Sequence, residues 1–228
     1  MYIPEHFRVR EHADALAFMR ANPFVILISA GQASAGDDGP FASHVPVVLR
    51  EVPGRDGEDQ IKDQLIVRGH VAKANPHWRY LEQQPQCLTI FHGPHSYISP
   101  SLYTNRESVP TWNYGAVHLY GNARVFSSPD AMLGVLHDLM GIFEPAYAEQ
   151  WASLSPEYRE RMLSHIVAFE ITATKLEAKF KLGQNRAREE QSNMIAALDK
   201  AKDTAVSGVA RMMREQGLGV SGIKKEEK

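Results

Sequence analysis

In 228 residues the chain has one cysteine, Cys87, and no cysteine pair that would build a disulfide framework. Cys87 sits in the apolar run CLTIF, so it reads as a small buried hydrophobe in a reducing compartment rather than as a nucleophile. No run of about 18 uncharged apolar residues occurs, and Met1-Tyr-Ile-Pro opens with neither a basic nor a long apolar segment, so the expectation is a soluble, cytoplasmic protein. Also missing are a GxGxxG after a strand, a GxxxxGK[ST], an HExxH and a GxSxG. Their absence argues against a Rossmann dinucleotide site, a P-loop, a zincin centre and a nucleophile elbow around Ser96, Ser99 or Ser101.

Charge is ordinary in amount, at 23% of residues, and unevenly spread. Residues 1–174 carry 13 Lys+Arg against 19 Asp+Glu, a net of −6, and residues 175–228 carry 12 against 8, a net of +4. A tail with that balance is compatible with an acidic partner or nucleic acid, and equally with a solvated helix face.

Punctuation by proline and asparagine divides the rest. Arg10 to Arg20 has helical spacing and stops at Asn22-Pro23 before the strand FVILIS. His44 to Glu51 and QLIVRGHV read as a hairpin joined by the charged loop VPGRDGEDQIKD. Asn75-Pro76 opens a short helix, with Asn75 as its N-cap and Pro76 in the first position, where no N–H is needed. After Gln84-Pro85 comes the buried strand CLTIF, and TWNYGAVHLYGNARVF is a long strand, bent or bulged at its glycine. Ser128-Pro129 starts a helix with Leu133, Leu136, Met140 and Phe143 on one face, and Ser155-Pro156 starts another that runs to about Ser164. IVAFEITATKLEAKF returns to strand. From Arg188 to Gln216 the residues Met194, Leu198, Ala201, Ala205 and Met212 mark the stripe of a single amphipathic helix, and GLGVSGIKKEEK is a frayed end. The fold class expected from this order is α+β, an antiparallel barrel with peripheral and C-terminal helices.

Between Gly69 and Gly121 the segments GHVAKANPHWRYL, FHGPHSYISPSLY and VPTWNYGAVHLYG gather histidines, tryptophans and tyrosines among turn-forming residues. Stacking surfaces beside hydrogen-bond donors suit a planar, phosphate-bearing ligand. Near the start of the Asn75-Pro76 helix, where free N–H groups and the dipole attract anions, Lys73, Asn75 and His77 lie in sequence, and His44 and His70 occupy the neighbouring hairpin strands.

Taken in order, NPFVIL, SHVPVVL, GHVAKANPHW, FHGPHSYISPSLY, VPTWNY, AVHLYGNARV and KLEAKFKLGQNR resemble the PaiB family, FMN-binding negative transcriptional regulators, from Met1 to about Met213. That family is similar to the FMN-binding split barrels, which include pyridoxine phosphate oxidases and flavin reductases. The resemblance implies an antiparallel split β-barrel over residues 1–185, followed by a C-terminal helix and tail (186–228) of the same unit, a homodimer, and FMN at the subunit interface. It implies a phosphate site at the helix start, with His44, His70, Lys73, Asn75 and His77. It also implies a ring site with Trp112 as a wall, Asn113 on the polar edge, Tyr114 beside it, and Lys181, Gln184 and Asn185 arriving from the barrel end. Where the oxidases carry an arginine–lysine pair at the phosphate, this chain carries Pro76 and His77.

Two other readings stay open. A flavin-dependent oxidoreductase acting on a small molecule would use the same site, and the pair in His92-Gly-Pro-His95, with His44, His70, His77 and His118, would suit haem or a metal. Direct DNA contact has only the basic tail to rest on, since no second helix joined by a short Gly turn is legible beside Arg186 to Arg214.

Overall fold

A computed structural model describes residues 1–31, 39–52 and 64–219. Apart from Val52, the charged VPGRDGEDQIKD loop lies outside the described residues, as does most of the C-terminal GLGVSGIKKEEK. Six strands close into a barrel in the order β1-β2-β3-β6-β5-β4: β1 Phe24–Ala30, β2 Pro40–Val52, β3 Gln64–Ala72, β4 Gln86–Ile98, β5 Thr111–Phe126 and β6 Ile166–Lys181. The pairs β1–β2, β1–β4, β2–β3 and β3–β6 are antiparallel. The α+β barrel expected from the element order is therefore the fold.

The described residues group into two compact units. The larger holds residues 19–91 and 118–177; the smaller holds residues 1–18, 92–117 and those from 178 onward. Strands β4, β5 and β6 contribute residues to both.

In the larger unit β3 alternates strictly: Leu65, Val67, Gly69 and Val71 are buried while Gln64 and Ala72 are exposed. Phe91, Phe169, Leu27 and Ile171 are fully enclosed at its centre. Helices α3 (Pro129–Phe143), α4 (Tyr147–Ser153) and α5 (Pro156–Leu163) form a layer outside the strands. Met132, Val135 and Leu139 of α3 and Leu163 of α5 pack on Val48 and Ala168, and each such side chain contributes about 1.5–3 kcal/mol. The buried stripe of α3 thus differs from the expected one: Leu133 and Met140 are half-buried and Phe143 is exposed. This helix is apolar on several sides, so periodicity alone does not select the face that docks. Polar groups anchor the same layer. Asp138 of α3 accepts from Arg50 on β2 at 2.7 Å and also pairs with Arg68 on β3, whose Nε lies 2.8 Å from Glu170 on β6.

The smaller unit contains the start of α1 (His12–Ala21), 3-10 turns at Glu5–Phe7 and Pro100–Leu102, and two C-terminal helices. These are α6 (Arg188–Leu198) and α7 (Thr204–Glu215), so the single helix expected from Arg188 to Gln216 is interrupted. Asp203 is the reason: its side chain accepts from the Ala205 N–H and starts a new helix, while apolar Ala201 and Ala205 carry the stripe across the break. Both helices face inward, with Met194, Leu198, Val209, Met212 and Met213 buried. Glu190 of α6 accepts from the Thr104 N–H at 3.0 Å and from its hydroxyl at 3.1 Å. Among the described residues no helix is long and apolar enough to cross a membrane.

Candidate flavin site

The corner between β3 and α2 (His77–Gln83) is built on one serine. Pro76 occupies the cap position and helical turns begin at His77, one residue later than expected. The capping bond nevertheless comes from Asn75, whose Oδ1 accepts the His77 N–H at 3.0 Å. That bond orients the Asn75 amide so that Nδ2 donates to Ser43 Oγ on β2 at 3.0 Å, and Ser43 Oγ stands 2.9 Å from His77 Nδ1. His77 is fully buried, with Phe41 edge-on at 5.0 Å, and burial pulls its pKa down to about 4. Its Nε2 is enclosed without a partner.

These facts revise the expected phosphate set. The side chain of Asn75 and both the N–H and Nδ1 of His77 are committed to internal bonds, and a neutral, enclosed imidazole presents no charge to an anion. The other three expected residues remain available: His44 is exposed on β2 with its ring stacked at 6.2 Å on Phe24; Lys73 is exposed; His70 is half-buried on β3, its Nδ1 unpartnered and its pKa lowered by burial.

The ring-site residues fall in the smaller unit. Trp112 is 53% exposed, with His95 at 6.2 Å and Tyr97 edge-on at 6.1 Å. His92 lies 4.9 Å from His95, and its pKa is lowered by burial and then by that neighbour. Lys181 Nζ donates to Trp112 O at 2.7 Å and to Thr111 Oγ1; burial, then Lys179 and Arg186, lower its pKa. This fixes an ammonium at the backbone carbonyl of the tryptophan. Tyr114 is half-buried, with Lys179 Nζ 5.2 Å above its ring.

Two expected ligands are used otherwise. Asn113 is 1% exposed and its Nδ2 reaches Met194 Sδ at 3.9 Å, so it points into the core. Gln184 is closed onto its own backbone, Nε2 donating to Phe180 O at 2.6 Å and Oε1 accepting from Leu182 N at 2.8 Å. It clamps the turn in which Gly183 takes φ 81°, a conformation glycine adopts without Cβ strain. Ser43 and Thr111, which organise the two clusters, carry no sequence signal beyond adjacency to His44 and Trp112. Cys87 is buried with its thiol pushed up to about 12, as expected of a hydrophobe. Among the described residues no three His, Cys, Asp or Glu side chains gather in a way that would hold a metal ion.

Residues 1–175 match the family model described as "Putative FMN-binding domain". The chain belongs to this family. It is 33% identical over 218 residues to "Protease synthase and sporulation protein PAI 2" of Bacillus subtilis, a match that spans 95% of this chain and 98% of that protein. Among solved structures, the flavocytochrome Anf3 of Azotobacter vinelandii is similar at TM-score 0.56 and 13% identity, over 78% of this chain and 72% of that one. An FAD and haem binding protein of Mycobacterium smegmatis is similar at TM-score 0.56 and 16% identity, over 83% and 79%. At such identities these two structures speak for the fold alone. The family match makes this a flavin-binding, PaiB-like domain, and its fold is the split barrel.

Proposed function

We propose that the protein binds FMN as a homodimer and acts through the state of that flavin, with any negative regulation of transcription following from flavin or ligand sensing rather than from a DNA-reading helix. The observation that carries the reading is the exposed Trp112 ring, flanked by His95 and Tyr97, with the Lys181 ammonium fixed at its backbone. An indole face suits an isoalloxazine ring, and a nearby cation suits its electron-rich edge. In the larger unit His44, His70 and Lys73 are the expected phosphate donors still open to an anion, a reading tested separately from the ring residues of the smaller unit. Bound flavin would supply hydride or electron transfer, and the chain's own residues would bind and orient it.

The purified protein titrated with FMN is expected to show a flavin spectrum and to be a dimer by light scattering. Trp112→Ala and Lys73→Gln are each expected to weaken FMN binding about tenfold, the loss of one stacking surface or one charge-assisted bond. A Soret band in the protein as purified, or unchanged titrations in both variants, would overturn the reading. The structural relative described as binding FAD and haem makes FAD and haemin the competitors to run beside FMN.

For DNA, the basic helices are less available than their composition suggests. Arg214 pairs with Asp199, and Arg211 lies 3.9 Å from Glu215. Promoter DNA is expected to bind weakly, with a log–log salt slope of a few units at about −0.9 per phosphate. Truncation would remove the buried Met194, Val209 and Met213 and unfold the smaller unit, so the comparison protein is Arg188→Gln/Lys200→Gln/Lys202→Gln/Arg211→Gln. Nanomolar, sequence-selective binding that this variant loses would make α6–α7 the reading element.

A further inference from the structure

We propose that the helical layer of the larger unit contains a second small-molecule site, specific for an aromatic carboxylate. A cavity of about 600 Å³ opens where α3, α4 and α5 meet α2 and the adjoining ends of β5 and β6. That volume suits a ring system of one or two fused rings. Met132, Leu133, Leu163 and Ile166 give it an apolar wall, and Trp78 and Trp151 bring two indoles to its lining. All of the lining lies within one compact unit.

Two polar groups in this wall have no partner. Trp151 is 7% exposed and its Nε1 is buried without an acceptor. Arg159 of α5 has its Nε buried without one as well. Trp78 makes the contrast: its Nε1 donates to Lys73 O at 3.0 Å, so its indole is satisfied by the fold. Leaving a buried donor unmet is costly, and native interiors rarely do so at two neighbouring lining positions unless something else supplies the acceptor.

Both orphans are donors, which decides the ligand's chemistry. An indole N–H and a guanidinium N–H call for an acceptor, and a carboxylate offers two oxygens to two donors. A cationic ligand would leave both unmet. The carboxylates that line the cavity, Glu82 and Glu160, are exposed to water and screened, whereas the Arg159 Nε is desolvated and dominates locally. A smaller cavity of about 400 Å³ shares Leu133, Trp151 and Arg159 and continues past His137 and Met140, which leaves room for a substituent on the ring. The cavity shares Lys73 with the flavin reading, since that residue also borders it, but the two donors that define this site, Trp151 and Arg159, are not invoked for FMN.

Naphthalene-2-carboxylate is the probe, titrated by calorimetry into the full chain with and without FMN, with the 2-naphthylmethylammonium cation as control. The carboxylate is expected to bind in the micromolar range and the cation at least tenfold more weakly. Arg159→Gln is expected to weaken the carboxylate about tenfold, and Trp151→Phe, which keeps a ring but removes the donor, by a comparable factor. Leu133→Trp, which fills the cavity, is expected to abolish binding, and Trp112→Ala to leave it unchanged. Thermal melts show which variants fold; should Leu133→Trp fail to, the two donor variants decide. No binding at about 1 mM probe, equal affinity for the cation, or parental affinity in both donor variants would overturn the proposal.

Discussion

Gly121→Val is expected to destabilise the protein by about 3 kcal/mol or more, the upper end of what overpacking a core costs. A Cβ at this position of β5 would stand 2.5 Å from the Thr172 carbonyl oxygen and 2.6 Å from Ile171 Cγ2. Neither neighbour yields cheaply: Ile171 is fully buried, and both residues are paired across β6 with Ile66 and Val67 of β3. Relief therefore requires the β5–β6 seam to open, and with it the ladder beyond. Gly141→Ala in α3 is the control. Nothing lies within 4 Å of its Cβ, so the gain in helix propensity should stabilise by up to about 1 kcal/mol. Urea unfolding of the two variants measures the contrast, and a Gly121→Val midpoint at or above that of the parent would refute the account of the seam.

Acidification is expected to remove up to about 3 kcal/mol of stability through His77 alone. Its folded pKa is about 4, against 6.5 for an exposed imidazole. Above pH 6.5 the ring is neutral in both states and contributes no pH dependence. Between pH 6.5 and about 4 the unfolded chain takes up a proton that the folded chain refuses, so stability falls as pH falls, by about 1.4 kcal/mol per pH unit at most, and levels off below about 4. His70, whose pKa burial also lowers, acts in the same direction. Carboxylates add their own losses at the acid end, so the decisive quantity is the difference between the parent and His77→Gln. That difference should shrink or reverse from pH 7.5 to pH 4.5, as glutamine carries no titrating proton. A constant difference across that range would mean that the imidazole is not held neutral by its surroundings.

Much of the fold was legible because its boundaries are local. Asn22-Pro23, Asn75-Pro76 and Ser155-Pro156 act on the backbone of their own turn, and Ser155 does accept from the Tyr158 N–H. Strand alternation likewise needs only neighbours two residues apart, and the ordered blocks from NPFVIL to KLGQNR were sufficient to indicate the family. Two local readings failed for local reasons too: Ala201 and Ala205 continue the apolar stripe through the α6–α7 break, and α3 is apolar on too many sides to declare its buried face.

What the tertiary structure alone decided is which polar groups are already spent. Ser43 and His77 are 34 residues apart and meet only because β2 lies beside β3 and the chain turns into α2. Asn113 faces Met194 from 81 residues away, and Trp151 and Arg159 become a pair of unmet donors only once α4 and α5 close on the same cavity. Residue type declares what a side chain can donate or accept. Whether it still has that capacity in the folded protein depends on desolvation and long-range pairing, neither of which is encoded within any one stretch of sequence.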